Sequence, residues 1–241
     1  MTVSPDIRLV DETGSTNADC AAAIRAGDGW VERQWLVARR QTSGRGRQGR
    51  EWFDGAGNFM GSCVVRLGES DPPPASLSFV AALAVRDTAV EALGEGADLA
   101  LKWPNDVLLR GGKLSGILLE MVSEHIIVGI GVNLANAPTL PDRKTAAIAD
   151  VIPPPVIEGF AANLAHHFAR RLGDWRAQGL GATLGQFLVA SIHAHGSPLT
   201  VHDSDGSQLS GSFAGLDESD GALRLRLADG SERVIRAGDI V

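Results

Sequence analysis

The chain has 241 residues, of which 44% are hydrophobic and 21% charged, and its formal net charge is −7. That length suits one sizeable core with a small appended domain, and the acidic balance excludes a global field for nucleic acid or anionic membranes. The only cysteines, Cys20 and Cys63, are too few for a disulfide framework or a cysteine-rich zinc site, so both read as buried thiols.

The first residues, Met-Thr-Val-Ser-Pro-Asp, lack the basic and apolar regions of a leader. No apolar run reaches membrane-spanning length, and the expected setting is a reducing cytoplasm without a membrane partner. Ser15-Thr16-Asn17 precedes an Ala-rich helical stretch over 18–26, where a hydroxyl or amide can cap. Residues 35–39 read as a strand running towards a loop rich in glycine and arginine, and 58–67 as the returning strand. Three prolines at 72–74 forbid regular structure, and the apolar spacing at 77, 80, 81, 84 and 85 predicts a helix over 76–93. Short strands follow at 99–103, 107–109, 114–119 and 126–132. Residues 135–155 read as a polar, proline-rich connection, and helical patterns resume at 156–172 and 183–192.

From about residue 196 the texture changes to short strands at 199–201, 208–214, 222–227 and 233–235. Turns are expected at 203–206, 217–221 and 229–230. Such a run of hairpins suggests a small β-barrel. The expected fold is α/β (α+β): a mixed-sheet main domain over 1–193 and the small barrel over 194–241.

The loop reads G-R-G-R-Q-G-R-E-W over 44–52. Glycine lets the backbone approach a ligand, and arginine supplies a planar donor fork for phosphate or carboxylate. Clustered guanidinium groups repel and glycine is costly to order, so the pattern suits a small anionic ligand that orders its own lid. Gly44, Gly46 and Gly49 also satisfy G-x-G-x-x-G, but the dinucleotide fingerprint requires a helix next. The following residues are loop-like and contain Gly55 and Gly57, which excludes that reading. A phosphate-binding P-loop is excluded too, because Val107 stands where its first glycine belongs and Leu114 follows Lys113.

Three more segments follow in order: K-W-P-N-D over 102–106, G-G-K-L-S-G-I-L-L-E over 111–120 and V-G-I-G-V-N over 128–133. Together with the loop, Ser15-Thr16-Asn17 and Gln41, they resemble the catalytic domain of biotin protein ligases. The type resembled lacks an N-terminal DNA-binding domain and ends in a small SH3-like β-barrel. The resemblance covers the chain from about residue 8 to its end, and the combination is specific where no single motif would be. It implies activation of biotin by ATP to biotinyl-5′-AMP with release of pyrophosphate. Transfer to a lysine of the biotin carrier protein of acetyl-CoA carboxylase then follows.

By that resemblance, Ser15, Thr16, Asn17, Gln41, Arg45, Gly46, Arg47 and Lys113 would bind biotin. Arg50, Trp52, Lys102, Asp106 and Asn133 would bind the nucleotide, with Lys113, Arg47 and Asp106 closest to the chemistry. The residue types suit these roles. Ser15, Thr16 and Gln41 offer donors and acceptors for a ureido ring. Lys113 is a point charge able to reach both a carboxylate and an α-phosphate. Asp106 can hold Mg²⁺ or orient an incoming amine, whose ordinary pKa of about 10.4 leaves it mostly protonated. Asn105 reads as structural, and Trp103 as either packing or contact. The six histidines show no metal spacing, so no dedicated metal site is expected. The resemblance implies ATP as co-substrate with Mg²⁺ as activator and no tightly bound prosthetic group.

Repressor members of the family carry a helix-turn-helix domain; only 14 residues precede Ser15, so DNA binding is not expected. Dimerisation through a sheet edge is common in the family, which makes a homodimer a further expectation. The rivals are a lipoate ligase or lipoyl/octanoyl transferase, a non-catalytic sensing module and a nucleic-acid binder. A transferase would need a cysteine nucleophile, and neither Cys20 nor Cys63 is near the motif lysine in sequence.

Overall fold

The computed structural model describes residues 5–28, 30–32, 34–141, 143–203 and 207–240. The expected turn at 203–206 lies largely outside these residues.

β1 (Asp6–Thr13) leads through α1 (Thr16–Ala26) into β2 (Gln34–Gln41), which lies parallel to β1. β1 has no counterpart in the sequence reading. Its charged, alternating D-I-R-L-V-D-E-T belongs at an edge, where charge discourages further pairing. β3 (Phe59–Arg66), α2 (Leu77–Leu93), β4 (Leu99–Lys102), β5 (Asp106–Leu109), β6 (Gly112–Val122) and β7 (His125–Val132) follow. Every pairing in this sheet except β1 with β2 is antiparallel, in the order β1-β2-β3-β7-β6-β5-β4. The tight β5–β6 turn has Arg110 at φ 50 and Gly111 at φ 73, the pair of left-handed residues that matches strand twist in a two-residue hairpin.

One face of the sheet packs on α2 and on α3 (Ile157–Val189). Trp35, Val37, Phe59, Cys63, Val128, Ile130 and Val132 point into this core, with α2 buried on nearly every side. Each large apolar side chain buried there contributes about 1.5–3 kcal/mol. α3 was expected as two helices, over 156–172 and 183–192. Two helical stretches are present and meet at a kink at Gly179 (φ 80), so the first runs past its expected end and the second starts before its expected beginning. Phe168, Leu172 and Trp175 continue one apolar stripe past the expected end, and the fully buried Trp175 donates to Ser76 Oγ at 2.8 Å. The helix stops at Val189 because the chain then pairs with the β4 edge: Leu101 N donates to Ala190 O and Ile192 N donates to Leu101 O.

β8 (Pro198–Asp203), β9 (Gln208–Leu216), β10 (Leu223–Arg226), β11 (Glu232–Ile235) and β12 (Gly238–Ile240) form a five-stranded antiparallel sheet, ordered β11-β10-β9-β8-β12. This is the small all-β unit expected from the tail, with β12 as an unforeseen edge strand. Trp103 joins it to the main sheet as a packing residue: its ring is buried and its Nε1 donates to Gly221 O at 3.1 Å. Lys102 Nζ donates to Ile240 O at 2.9 Å.

Candidate active site

The sheet face away from α2 and α3 carries a cavity of about 940 Å³. Its floor is set by register. Ala38, Met60, Gly131, Gly116, Asp106 and Lys102 are successive cross-strand partners, so their side chains share one face. In the next row Ser62 opposes Gly129, which opposes Leu118. The alternation V-G-I-G-V therefore sends its branched residues into the core and leaves bare backbone beneath the cavity. Trp52 lies on Gly116 and Gly131, and the Asn17 amide lies on Gly129; a Cβ at either Gly129 or Gly131 would overlap these groups.

Lys113 reaches this face through a bulge. A regular strand would put residues 113 and 116 on opposite faces. Between Val107 and Leu108 the register shifts, so that Val107 opposes Ser115 while Leu108 opposes Lys113. Leu114 is the extra residue and drops into the core, while Lys113 turns towards Gly116. Lys113 Nζ then donates to Asp106 Oδ1 at 2.6 Å, with the two side chains 22% and 17% exposed. This partly dry pair fixes the ammonium in position.

The arginine loop is a miniature hairpin. Gly46 N donates to Arg50 O and Trp52 N to Gly44 O, and Arg45 bridges Glu51. At its tip Gln48 (φ 56) and Gly49 (φ 74) are both left-handed. Arg47 Nη1 donates to Asn105 Oδ1 at 3.1 Å and Nη2 to Gly238 O at 3.1 Å. Asp239 accepts from Arg47 at 3.4 Å and from Arg50 at 2.6 Å. Burial pulls the Arg47 pKa down, and Asp239 and Asp106 act against it.

At the other end, Gln41 Oε1 accepts from Thr16 N at 2.7 Å and from Thr16 Oγ1 at 3.0 Å. Ser62 Oγ donates to Asn17 Oδ1 at 2.6 Å, and Asn17 Nδ2 donates to Glu120 Oε2 at 2.6 Å. Ser15 stands at the N-cap of α1, but its side chain makes no capping bond, contrary to the capping role open to it in the sequence; it lines the cavity instead. Two buried polar atoms in the cavity wall, Asn133 Oδ1 and Trp52 Nε1, have no hydrogen-bond partner among the described residues.

Every candidate residue drawn from the sequence lines this one cavity except Lys102. Lys102 stands one strand beyond Asp106, occupied with Ile240, and burial lowers its pKa. Asn105, read as structural, is both: its Nδ2 donates to Ile117 O at 2.6 Å while its oxygen receives Arg47. The reading missed Asp239 and Arg143, which also line the cavity and come from segments without a local motif. The glycine floor was legible in the alternating V-G-I-G-V. The cysteines are buried as expected and do not line the cavity; burial pushes the Cys20 thiol up to about 12 and raises that of Cys63. Among the described residues no group of three or more His, Cys, Asp or Glu side chains could hold a metal ion. No described helix is long and apolar enough to cross a membrane.

The biotin/lipoate A/B protein ligase family matches residues 26–133, and the biotin protein ligase C-terminal domain matches residues 194–241. The biotin–[acetyl-CoA-carboxylase] ligase of Paracoccus denitrificans is 39% identical, over 96% of this chain and 98% of its own. The Mycobacterium tuberculosis protein of the same name is 34% identical, over 97% and 87%. In fold, the chain is similar to the biotin protein ligase of Aquifex aeolicus in complex with biotin and ATP. The TM-score is 0.81 at 23% identity, covering 98% of this chain and 97% of that one. The chain belongs to the biotin protein ligase family.

Proposed function

We propose that the chain joins biotin to ATP, forming biotinyl-5′-AMP and pyrophosphate, and then passes biotin to a lysine of a carboxylase's biotin carrier domain. The observation that carries this reading is the convergence of the Lys113–Asp106 pair and the arginine loop on one glycine-floored cavity. The Thr16–Gln41–Ser62 end provides donors and acceptors for the ureido ring. Lys113 would draw the biotin carboxylate and the α-phosphate together, two anions that otherwise repel. Arg45 and Gly46 belong to the loop that encloses biotin, and Arg47 would cover the mixed anhydride and keep water from it. Arg50, Trp52 and Asn133 are assigned to the nucleotide; Trp52 Nε1 and Asn133 Oδ1 are buried polar atoms with no partner among the described residues. Lys102 acts from behind, by fixing Ile240 and hence the strand carrying Asp239.

Mg²⁺ is held by phosphates and one or two carboxylates. Asp106 fits such a role, and the ion would offset phosphate charge when bound with ATP. In the second step, the carrier amine loses its proton and attacks the acyl carbon, and AMP leaves with the bonding electron pair. Asp106 is placed to orient that amine. The reading includes division of the chain at 193/194, a cytoplasmic setting and a homodimer through the edge strand β1, the β4 edge being taken by residues 190–192.

The test is incubation with biotin, ATP-Mg and a carrier domain, followed by weighing the carrier. A gain of one biotinyl group with pyrophosphate release is expected; no gain, or a gain only with lipoate, would overturn the reading. The transferase alternative is disfavoured because both thiols are buried away from the cavity.

A further inference from the structure

The stretch joining β7 to residue 148 contributes a cation to the cavity, and its backbone is fixed at both ends. At its start, Asn58 Oδ1 accepts from Ala135 N and Asn136 N at 3.0 Å, and Asn58 Nδ2 donates to Asn136 O at 2.8 Å. At its end, Lys113 N donates to Lys144 O at 2.9 Å, Ala146 N donates to Lys113 O at 3.0 Å, and Lys113 and Thr145 form a parallel bridge. Asn133 Nδ2 adds a bond to Ala146 O at 3.1 Å. The residue preceding this dock is Arg143, which lines the same cavity as Lys113, Arg47 and Arg50. The segment carrying Arg143 is therefore bonded to the backbone of Lys113 itself.

Formation of the adenylate places charge at two ends. A carboxylate oxygen of biotin bonds to the α-phosphorus, and the bond from that phosphorus to the bridging oxygen breaks. The electron pair stays on that oxygen, so pyrophosphate leaves with the new charge. Lys113 is paired with Asp106 at the acyl end, and Arg47 and Arg50 share Asp239. Arg143 enters from a different loop and belongs to the same charge cluster. Lys102, its pKa lowered first by burial, is acted on by Asp106, Arg143, Lys113 and Asp239 together.

We propose that Arg143 engages the β- and γ-phosphates of ATP and stabilises pyrophosphate as it leaves. This rests on the ligase reading. A planar fork suits two phosphate oxygens better than a point charge does.

The experiment uses the full chain, with Arg143→Ala and Arg143→Lys beside wild type and thermal midpoints recorded. Arg143→Ala should raise the KM for ATP about tenfold and weaken inhibition by inorganic pyrophosphate by a similar factor. Biotin KM, and transfer from preformed biotinyl-5′-AMP to the carrier, should stay as in wild type. Arg143→Lys should restore part of the loss. Unchanged ATP KM and pyrophosphate inhibition would overturn the assignment, as would equal losses in biotin binding and transfer. A wild-type chain that makes no adenylate would instead sink the ligase reading, and this inference with it.

Discussion

Asp239 of the C-terminal sheet binds two arginines of the cavity loop at once, Arg47 Nη1 at 3.4 Å and Arg50 Nη2 at 2.6 Å. The same carboxylate therefore occupies the donors that a phosphate would use, and it sits on a strand edge bonded to Lys102 through Ile240. The small sheet thus takes part in closing the cavity.

Replacing Asp239 with Asn should loosen the empty loop. Partly exposed pairs of this kind contribute about 0.2–1 kcal/mol each. Tryptic cleavage at Arg45, Arg47 or Arg50 in ligand-free protein should rise by roughly two- to fivefold. Cleavage at the wild-type rate would show that Asp239 does not restrain the loop. Arg47→Gly acts differently: adenylate should still form, but its dissociation should quicken by about tenfold or more, since a charge-assisted bond is lost. Unchanged dissociation of biotinyl-5′-AMP would contradict this.

Gly131→Ala would drive a methyl group into the Trp52 indole, and Gly116→Ala would crowd both Trp52 and Lys113. Overpacking of this kind costs about 1–3 kcal/mol. Gly131→Ala should displace Trp52, visible as a shift in tryptophan emission, and raise the KM for ATP with little change in that for biotin. Emission identical to wild type would mean the indole does not rest there.

Lys113→Gln keeps a hydrogen-bond donor but removes the charge. Pyrophosphate release on mixing with biotin and ATP should fall by about 10²–10³, the usual cost of losing one stabilising group at a developing anion. A loss of less than about threefold would remove Lys113 from the chemistry.

His193, buried where the chain leaves α3 for the second sheet, has its pKa lowered to about 4, first by burial and then by Lys102. The unfolded chain takes up this proton near pH 6.5, the folded chain only near 4. Between these values the unfolded state holds more protons, so stability falls as pH drops, by at most about 1.4 kcal/mol per pH unit. His193→Gln should flatten that part of the dependence in denaturant titrations at pH 7 and 4.5. An identical slope in both proteins would rule His193 out as its source.

The central strands, α2 and the alternating glycines of the floor were legible because period and turn chemistry are local. β1 was missed because its charges mask a half-buried strand. The two helical stretches of α3 were legible, but not their ends: buried Trp175 and Leu180 carry them up to the kink at Gly179, beyond where the apolar spacing is plain in the sequence. Within the site, Lys113, Asp106 and the loop arginines were found through their motifs. That Lys113 faces the cavity at all depends on the bulge at Leu114, which strict alternation hides. Asp239 and Arg143 reach the cavity only through contacts between distant segments, which local patterns do not encode.

The glycine floor has a consequence for attempts to alter what the cavity accepts. Where peptide groups form the base, no side chain remains to be trimmed, so mutation there can make the chamber shallower but never deeper. Room for a bulkier acid would have to be carved from the side chains around those glycines, such as Trp52, Leu118 or Leu140.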